Sequence, residues 1–211
     1  MNNQKKQINI LLNDEYIVVA DKPAGLLVVP APGKKRNLTD ILSEQLGERV
    51  YPCHRLDADT TGIIVFAKSI DMQHKVMDQF KSKKVFKKYI AFAQGKTKKT
   101  FNMDTPVKAV GKKEKSAYTK FRTLKYLKDF SVVEAVPVTG RSNQIRIHLA
   151  QKGNPIVGDR KYSQAKNWKI THKRVCLHSS YIEFRHPLSN DLINLRLPPA
   201  ADMQQLLEGA Q

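Results

Sequence analysis

His54-Arg55-Leu56-Asp57-Ala58-Asp59-Thr60-Thr61-Gly62-Ile63-Ile64-Val65-Phe66-Ala67-Lys68 is the stretch from which the fold can be read. Its first half, residues 54–61, is a polar and charged turn. Its second half, residues 63–67, is an unbroken apolar run of β-branched and aromatic side chains, the composition of a buried central strand. Asp57 and Arg55 are therefore expected on a loop pinned to a rigid element, where reactive groups can be held in place. Gly62 marks the corner, a position that excludes a side chain or needs a positive φ.

On the N-terminal side, residues 1–7 are polar and expected to fray. Residues 8–12 and 16–20 read as short strands around Asn13-Asp14-Glu15. In Asp21-Lys22-Pro23-Ala24-Gly25 the proline restricts Lys22 to an extended backbone, and residues 26–29 read as a third strand ended by Pro30 and Pro32. Leu38, Ile41, Leu42 and Leu46 follow a helical spacing, with Asn37 as cap and Gly47 as terminator. On the C-terminal side, Ser69 caps a helix over residues 70–82 with Met72, Val76, Met77 and Phe80 on one stripe. Strands are expected at residues 89–93, 130–136, 175–184 and 192–197. The spacing of Ile145 and Leu149 places Arg146 just inside a short helix, and residues 153–159 are turn chemistry. Pro199 opens a last helix with Met203, Leu206 and Leu207 inward. Many strands with helices at intervals, and few strand-helix-strand units, point to a mixed α/β (α+β) fold around a mostly antiparallel sheet, in one domain over residues 8–211.

The charge is lopsided. Among 211 residues, 37 Lys and Arg stand against 19 Asp and Glu, a formal net charge of +18 that attracts polyanions such as nucleic acid. From Lys81 through Lys128, Asp104 and Glu114 are the only acidic residues, and the segment from Arg160 to Arg174 has none. Cys53 and Cys176 are too few for a disulfide framework. No signal-peptide pattern and no membrane-length apolar run is present, so a cytoplasmic protein with reduced thiols is expected.

Asp57 is the foremost candidate for chemistry. A carboxylate can act as nucleophile, general base or metal ligand, or can simply cap a turn. A metal-dependent nuclease would use Asp57 and Asp59 with His54, but the adjacent Arg55 argues against a metal, and no distant ligand pair completes a shell. Asp59 is read as structural. His54 and His148 are read as hydrogen-bonding loop and helix residues rather than catalytic ones.

Three ordered pieces resemble the RluA-type pseudouridine synthases: the run His54-Arg55-Leu56-Asp57 before Thr61-Gly62 and an apolar strand; Lys88-Tyr89-Ile90-Ala91; and Thr139-Gly140-Arg141-Ser142-Asn143-Gln144-Ile145-Arg146-Ile147-His148-Leu149. The Lys22-Pro23-Ala24-Gly25 corner and the late Leu177-His178 and Phe184-Arg185-His186-Pro187 segments extend the resemblance over residues 10–198. It implies a pseudouridine synthase-like fold with flanking helices and a basic RNA-binding cleft. It also implies an isomerase that converts uridine in ribosomal or transfer RNA to pseudouridine without cofactor or metal. The catalytic residues it implies are Asp57 as nucleophile, Tyr89 lying on the target uracil, and Arg146 paired with the carboxylate. Arg55, His54, Arg141, Asn143, Gln144 and Leu177 are then expected at the substrate, with Arg55 filling the place of the extruded base or binding a phosphate. Where the family usually has histidine this chain has Asn143, which forms hydrogen bonds but does not titrate. The alternative is an RNA-binding or RNA-remodelling module that keeps the fold without turnover. Many relatives carry a small S4-like N-terminal domain; seven polar residues cannot form one, so the catalytic domain and its basic loops are expected to choose a compact RNA stem-loop, as a monomer.

Overall fold

A computed structural model describes residues 7–33, 36–108, 113–163 and 168–210. The expected frayed tail thus lies, Gln7 apart, outside the described residues. The chain divides into two compact units: residues 1–85 with 183–195, and residues 86–182 with 196–211.

In the first unit, β1 (Asn9–Asn13) pairs antiparallel with β2 (Ile17–Lys22), which pairs antiparallel with β4 (Thr61–Ala67); β3 (Tyr51–Pro52) lies antiparallel to the end of β4. Every residue of β4 is buried, as its unbroken apolar run requires, and Gly62 takes φ 105° opposite Lys22. α1 (Leu38–Leu46) begins at Asn37, whose side chain accepts from the Asp40 N–H, and ends at Gly47 with φ 70°. α2 (Ile70–Lys81) is capped by Ser69 in the same way. The strand expected at residues 26–29 does not form. The carbonyls of Leu27 and Val28 instead accept from the N–H groups of Leu38 and Thr39, at 2.7 and 3.1 Å. They satisfy the orphan donors at the start of α1, which leaves them no ladder to join.

In the second unit the strand order is β9-β5-β8-β7-β6, built from β5 (Phe86–Gln94), β6 (Thr100–Met103), β7 (Thr119–Tyr126), β8 (Phe130–Pro137) and β9 (Leu177–Arg185), whose last three residues belong to the first unit. The β5–β8, β8–β7 and β7–β6 ladders are antiparallel. β10 (Leu192–Arg196), which belongs to the first unit except for Arg196, pairs with β9. α3 (Gln144–Gln151) packs on β7 and β8, and α4 (Ala201–Glu208) buries Met203 completely. Ala91, Ala93, Val133, Ala135 and Phe121 meet Ile145 and Leu149 of α3 in the core of this unit. The architecture is mixed α+β with mostly antiparallel pairing, as expected; β3, β6 and β7 add to the strands whose bounds were read from the sequence.

Candidate active site

Asp57 sits in the first unit, half-buried, on the loop between β3 and β4. Leu56 points inward at 7% exposure while Arg55 is exposed, so one apolar anchor fixes the loop between two charged neighbours. The turn closes through the Thr60 N–H donating to the Asp57 carbonyl at 3.1 Å, and the Gly25 N–H donates to the Ala58 carbonyl at 3.0 Å. Beneath it lies Lys22, fully buried at the end of β2. Its Nζ donates to the carbonyls of Ala58 (2.6 Å), Pro23 (2.8 Å) and Thr60 (2.9 Å). An ammonium buried this deeply is tolerable only with such acceptors, and here three of them belong to the turn and the corner it clamps. The lysine-proline-x-glycine corner thus acts as the fastening of the Asp57 loop. Beside it, Asp21 of β2 has its carboxyl pushed up by burial, against the Gly62 N–H and the Lys22 charge that pull it down.

His54 is turned to the framework: its Nε2 accepts from the Val65 N–H of β4 at 3.1 Å, and its ring leans on Phe80 of α2 at 4.7 Å. Asp59 is exposed at the outer side of the turn.

Tyr89 and Arg146 belong to the second unit. Tyr89 is half-buried on β5, opposite Ala135, and borders the core cluster. Arg146 lies in the first turn of α3, as its spacing predicts, with 12% of its side chain exposed. Its Nε and Nη2 donate to Oδ2 and Oδ1 of Asp159, at 2.8 and 2.9 Å, in a two-pronged pair. Its Nη1 donates to Oδ1 of Asn143 at 2.8 Å, and the guanidinium lies 5.0 Å from the Tyr162 ring centroid. Asn143 adopts the left-handed conformation, φ 58° and ψ 18°, at the head of the helix, a backbone that asparagine enters more readily than most residues.

Gln144 is 4% exposed. Its Oε1 accepts from the Thr139 hydroxyl (2.7 Å) and the Arg141 N–H (3.0 Å), and its Nε2 donates to the Tyr118 carbonyl and the Thr119 hydroxyl, both at 2.9 Å. It ties the loop before α3 to β7. His148, fully buried, continues the chain: Nε2 meets the Thr105 carbonyl at 2.9 Å, so Nε2 carries the proton and Nδ1 accepts from Thr119 at 2.8 Å. Burial pushes its pKa down, although the Thr105 carbonyl and Asp104 oppose the shift. Arg141 is exposed and donates from Nε to the Ser116 carbonyl, whereas Leu177 is 4% exposed and lies in the core cluster.

The residue that the sequence reading missed is Asp159, taken only as part of a turn. One signal was available: Asp159 is the only acidic residue between Glu134 and Glu183.

A family model described as RNA pseudouridylate synthase matches residues 16–151. That span takes in the Asp57 loop, Tyr89 and all of α3. The chain belongs to the RluA-type RNA pseudouridine synthases. Members of this family are isomerases that act on RNA. The dual-specificity RNA pseudouridine synthase RluA of Pasteurella multocida is 31% identical over 208 residues, covering 92% of this chain and 94% of that one. The ribosomal large subunit pseudouridine synthase D of Nitrosomonas europaea is 32% identical over 222 residues, and there the match spans 95% of this chain but 64% of the relative. Among solved structures, human RNA pseudouridylate synthase domain containing 4 superposes with a TM-score of 0.80 at 26% identity, covering 95% of this chain and 92% of that one.

Proposed function

We propose that this chain isomerises uridine to pseudouridine at defined positions of ribosomal or transfer RNA, with Asp57 as the nucleophile and no cofactor or metal. The observation that carries the reading is the clamp under Asp57: a fully buried lysine bonds the main chain on both sides of residue 59, so the carboxylate sits on a turn fastened through its main chain. Relatives named for the ribosomal large subunit, for tRNA and for dual specificity support this substrate class.

In this reaction the N1–C1′ bond breaks, the uracil turns over, and C5 bonds to C1′; C5 gives up its hydrogen and N1 ends protonated. No electrons or groups are exchanged with another molecule. Asp57 attacks either ring C6 or the sugar, and in a third route the departing uracil is followed by loss of a C2′ proton. Each requires the carboxylate ionised. The family resemblance implies that Arg146, the second arginine of its motif, is the counter-ion of this carboxylate; an opposite charge favours the ionised form. Tyr89 gives the uracil a flat face, worth about 1–3 kcal/mol per stacked base. The base must leave its stack to react, and exposed Arg55 takes the vacated place or a neighbouring phosphate. The exposed lysines of residues 96–125 hold the RNA backbone, contacts that orient the RNA without reading its sequence.

The test is the nucleoside composition of unmodified ribosomal and transfer RNA transcripts after incubation with the protein, beside Asp57→Asn. Pseudouridine is expected to appear at the expense of uridine with the parent and not with the variant. RNA that binds tightly and stays unchanged would favour the binding-module reading instead.

A further inference from the structure

Asp159 is a carboxylate whose side chain has 0% exposure, in a segment otherwise free of acidic residues. A buried charge of this kind is costly unless paired and hydrogen-bonded. Its position is also enforced by the backbone. The Val157 N–H donates to the Phe92 carbonyl of β5, and the Cys176 N–H donates back to the Val157 carbonyl. At Gly158, with φ +80°, a Cβ would fall 1.9 Å from the Arg174 carbonyl oxygen, so only glycine lets the chain pass there. The residue after this passage is Asp159. Its Oδ1 accepts the N–H groups of Lys161 (3.0 Å) and Tyr162 (3.1 Å) as well as Arg146 Nη2. One carboxylate therefore builds the turn that brings the Tyr162 ring over the guanidinium and also grips the guanidinium edge.

We infer that Asp159 is a positioning residue for the reaction: it fixes the plane and direction of the Arg146 guanidinium, with Asn143 holding a third N–H. This rests on the reading of Arg146 as the counter-ion of the catalytic carboxylate. Of the five N–H donors of an arginine, Asp159 takes two and Asn143 one. Rotation about the Nε–Cζ bond then breaks at least two charge-assisted bonds. A turn-forming role alone would need Lys161 and Tyr162 N–H acceptance, which asparagine also provides; the two-pronged grip needs the carboxylate.

The experiment compares parent, Asp159→Asn, Arg146→Lys and the double variant by single-turnover pseudouridine formation, RNA affinity and 15N NMR of the arginine Nε–H groups. In Asp159→Asn the rate is expected to fall about 100-fold, the scale of a misplaced reacting group, with RNA affinity within about twofold of the parent. The Arg146 Nε–H, identified by its loss in Arg146→Lys, should exchange with water at least tenfold faster. Adding Asp159→Asn to Arg146→Lys should cost little more, because the two act as one unit. Rates that multiply in the double variant, or an unchanged Nε–H exchange rate in Asp159→Asn, would overturn the inference. An inactive parent would instead remove the reading beneath it, while the NMR comparison still decides whether Asp159 holds the guanidinium.

Discussion

In the first unit the loop of Asp57 is held through its main chain. Lys22 donates to carbonyls of Pro23, Ala58 and Thr60, and nothing in those three contacts depends on the side chains at 58 or 60. In the second unit Arg146 is held through side chains, the Asp159 carboxylate on one edge and the Asn143 amide on the other. A main-chain hold concentrates the dependence on one donor and tolerates variation around it. A side-chain hold spreads the dependence over several residues, any of which changes the aim of the group. The first arrangement makes a turn stiff; the second makes a direction adjustable by substitution.

That contrast can be broken experimentally. The largest effect on stability is expected for Lys22→Met, which keeps the volume and removes the donor. Three carbonyls then lose a charged partner, a loss of about 3 kcal/mol or more, read as a lowered urea midpoint; an unchanged midpoint would show that the clamp contributes nothing. An effect of similar size should appear with pH in the second unit. Burial, outweighing the hydrogen bond to Leu197, pushes the His178 pKa down to about 4 from 6.5. The unfolded chain therefore binds the proton first as pH falls. The stability from neutral His178 is complete above pH 6.5 and drains away as pH drops toward 4, by on the order of 3 kcal/mol. Urea midpoints measured from pH 7 to 4 should fall in the parent and fall less in His178→Asn. The smallest effect is expected for Asn143→Gly, which keeps the left-handed backbone without strain and removes one contact to Arg146. Turnover should drop by about tenfold or less with stability little changed; a drop as large as that of Asp159→Asn would mean that the two holds on Arg146 are not ranked as the two-pronged geometry implies.

How much of this was legible follows from where each interaction partner lies in sequence. β4 announced itself, because a strand buried on both faces must be apolar throughout. The caps at Asn37 and Ser69 and the stop at Gly47 were legible because capping is local. Residues 26–29 misled, since their strand-like composition says nothing of the N–H groups at the start of α1, eleven residues on, that their carbonyls satisfy. β7 was obscured by exposed Lys120, Arg122 and Lys125 and by an irregularity between Thr123 and Lys125 that breaks the alternation. Among the candidate residues, Asp57, Tyr89 and Arg146 stood out through the family's motifs. The partner of Arg146 lies thirteen residues downstream on a turn, and only its isolation among basic residues marked it. Lys22 read as part of a corner; its burial and its reach of 36 and 38 residues along the chain are tertiary facts.

The most direct measurement follows tritium released from RNA labelled at uridine C5, incubated with the pure protein and with Asp57→Asn. C5 loses its hydrogen when it becomes the glycosidic carbon, so release reports the bond change itself. Release by the parent and none by Asp57→Asn, at equal RNA binding, is the expected result. Release that persists in Asp57→Asn would contradict the assignment of this carboxylate as the nucleophile.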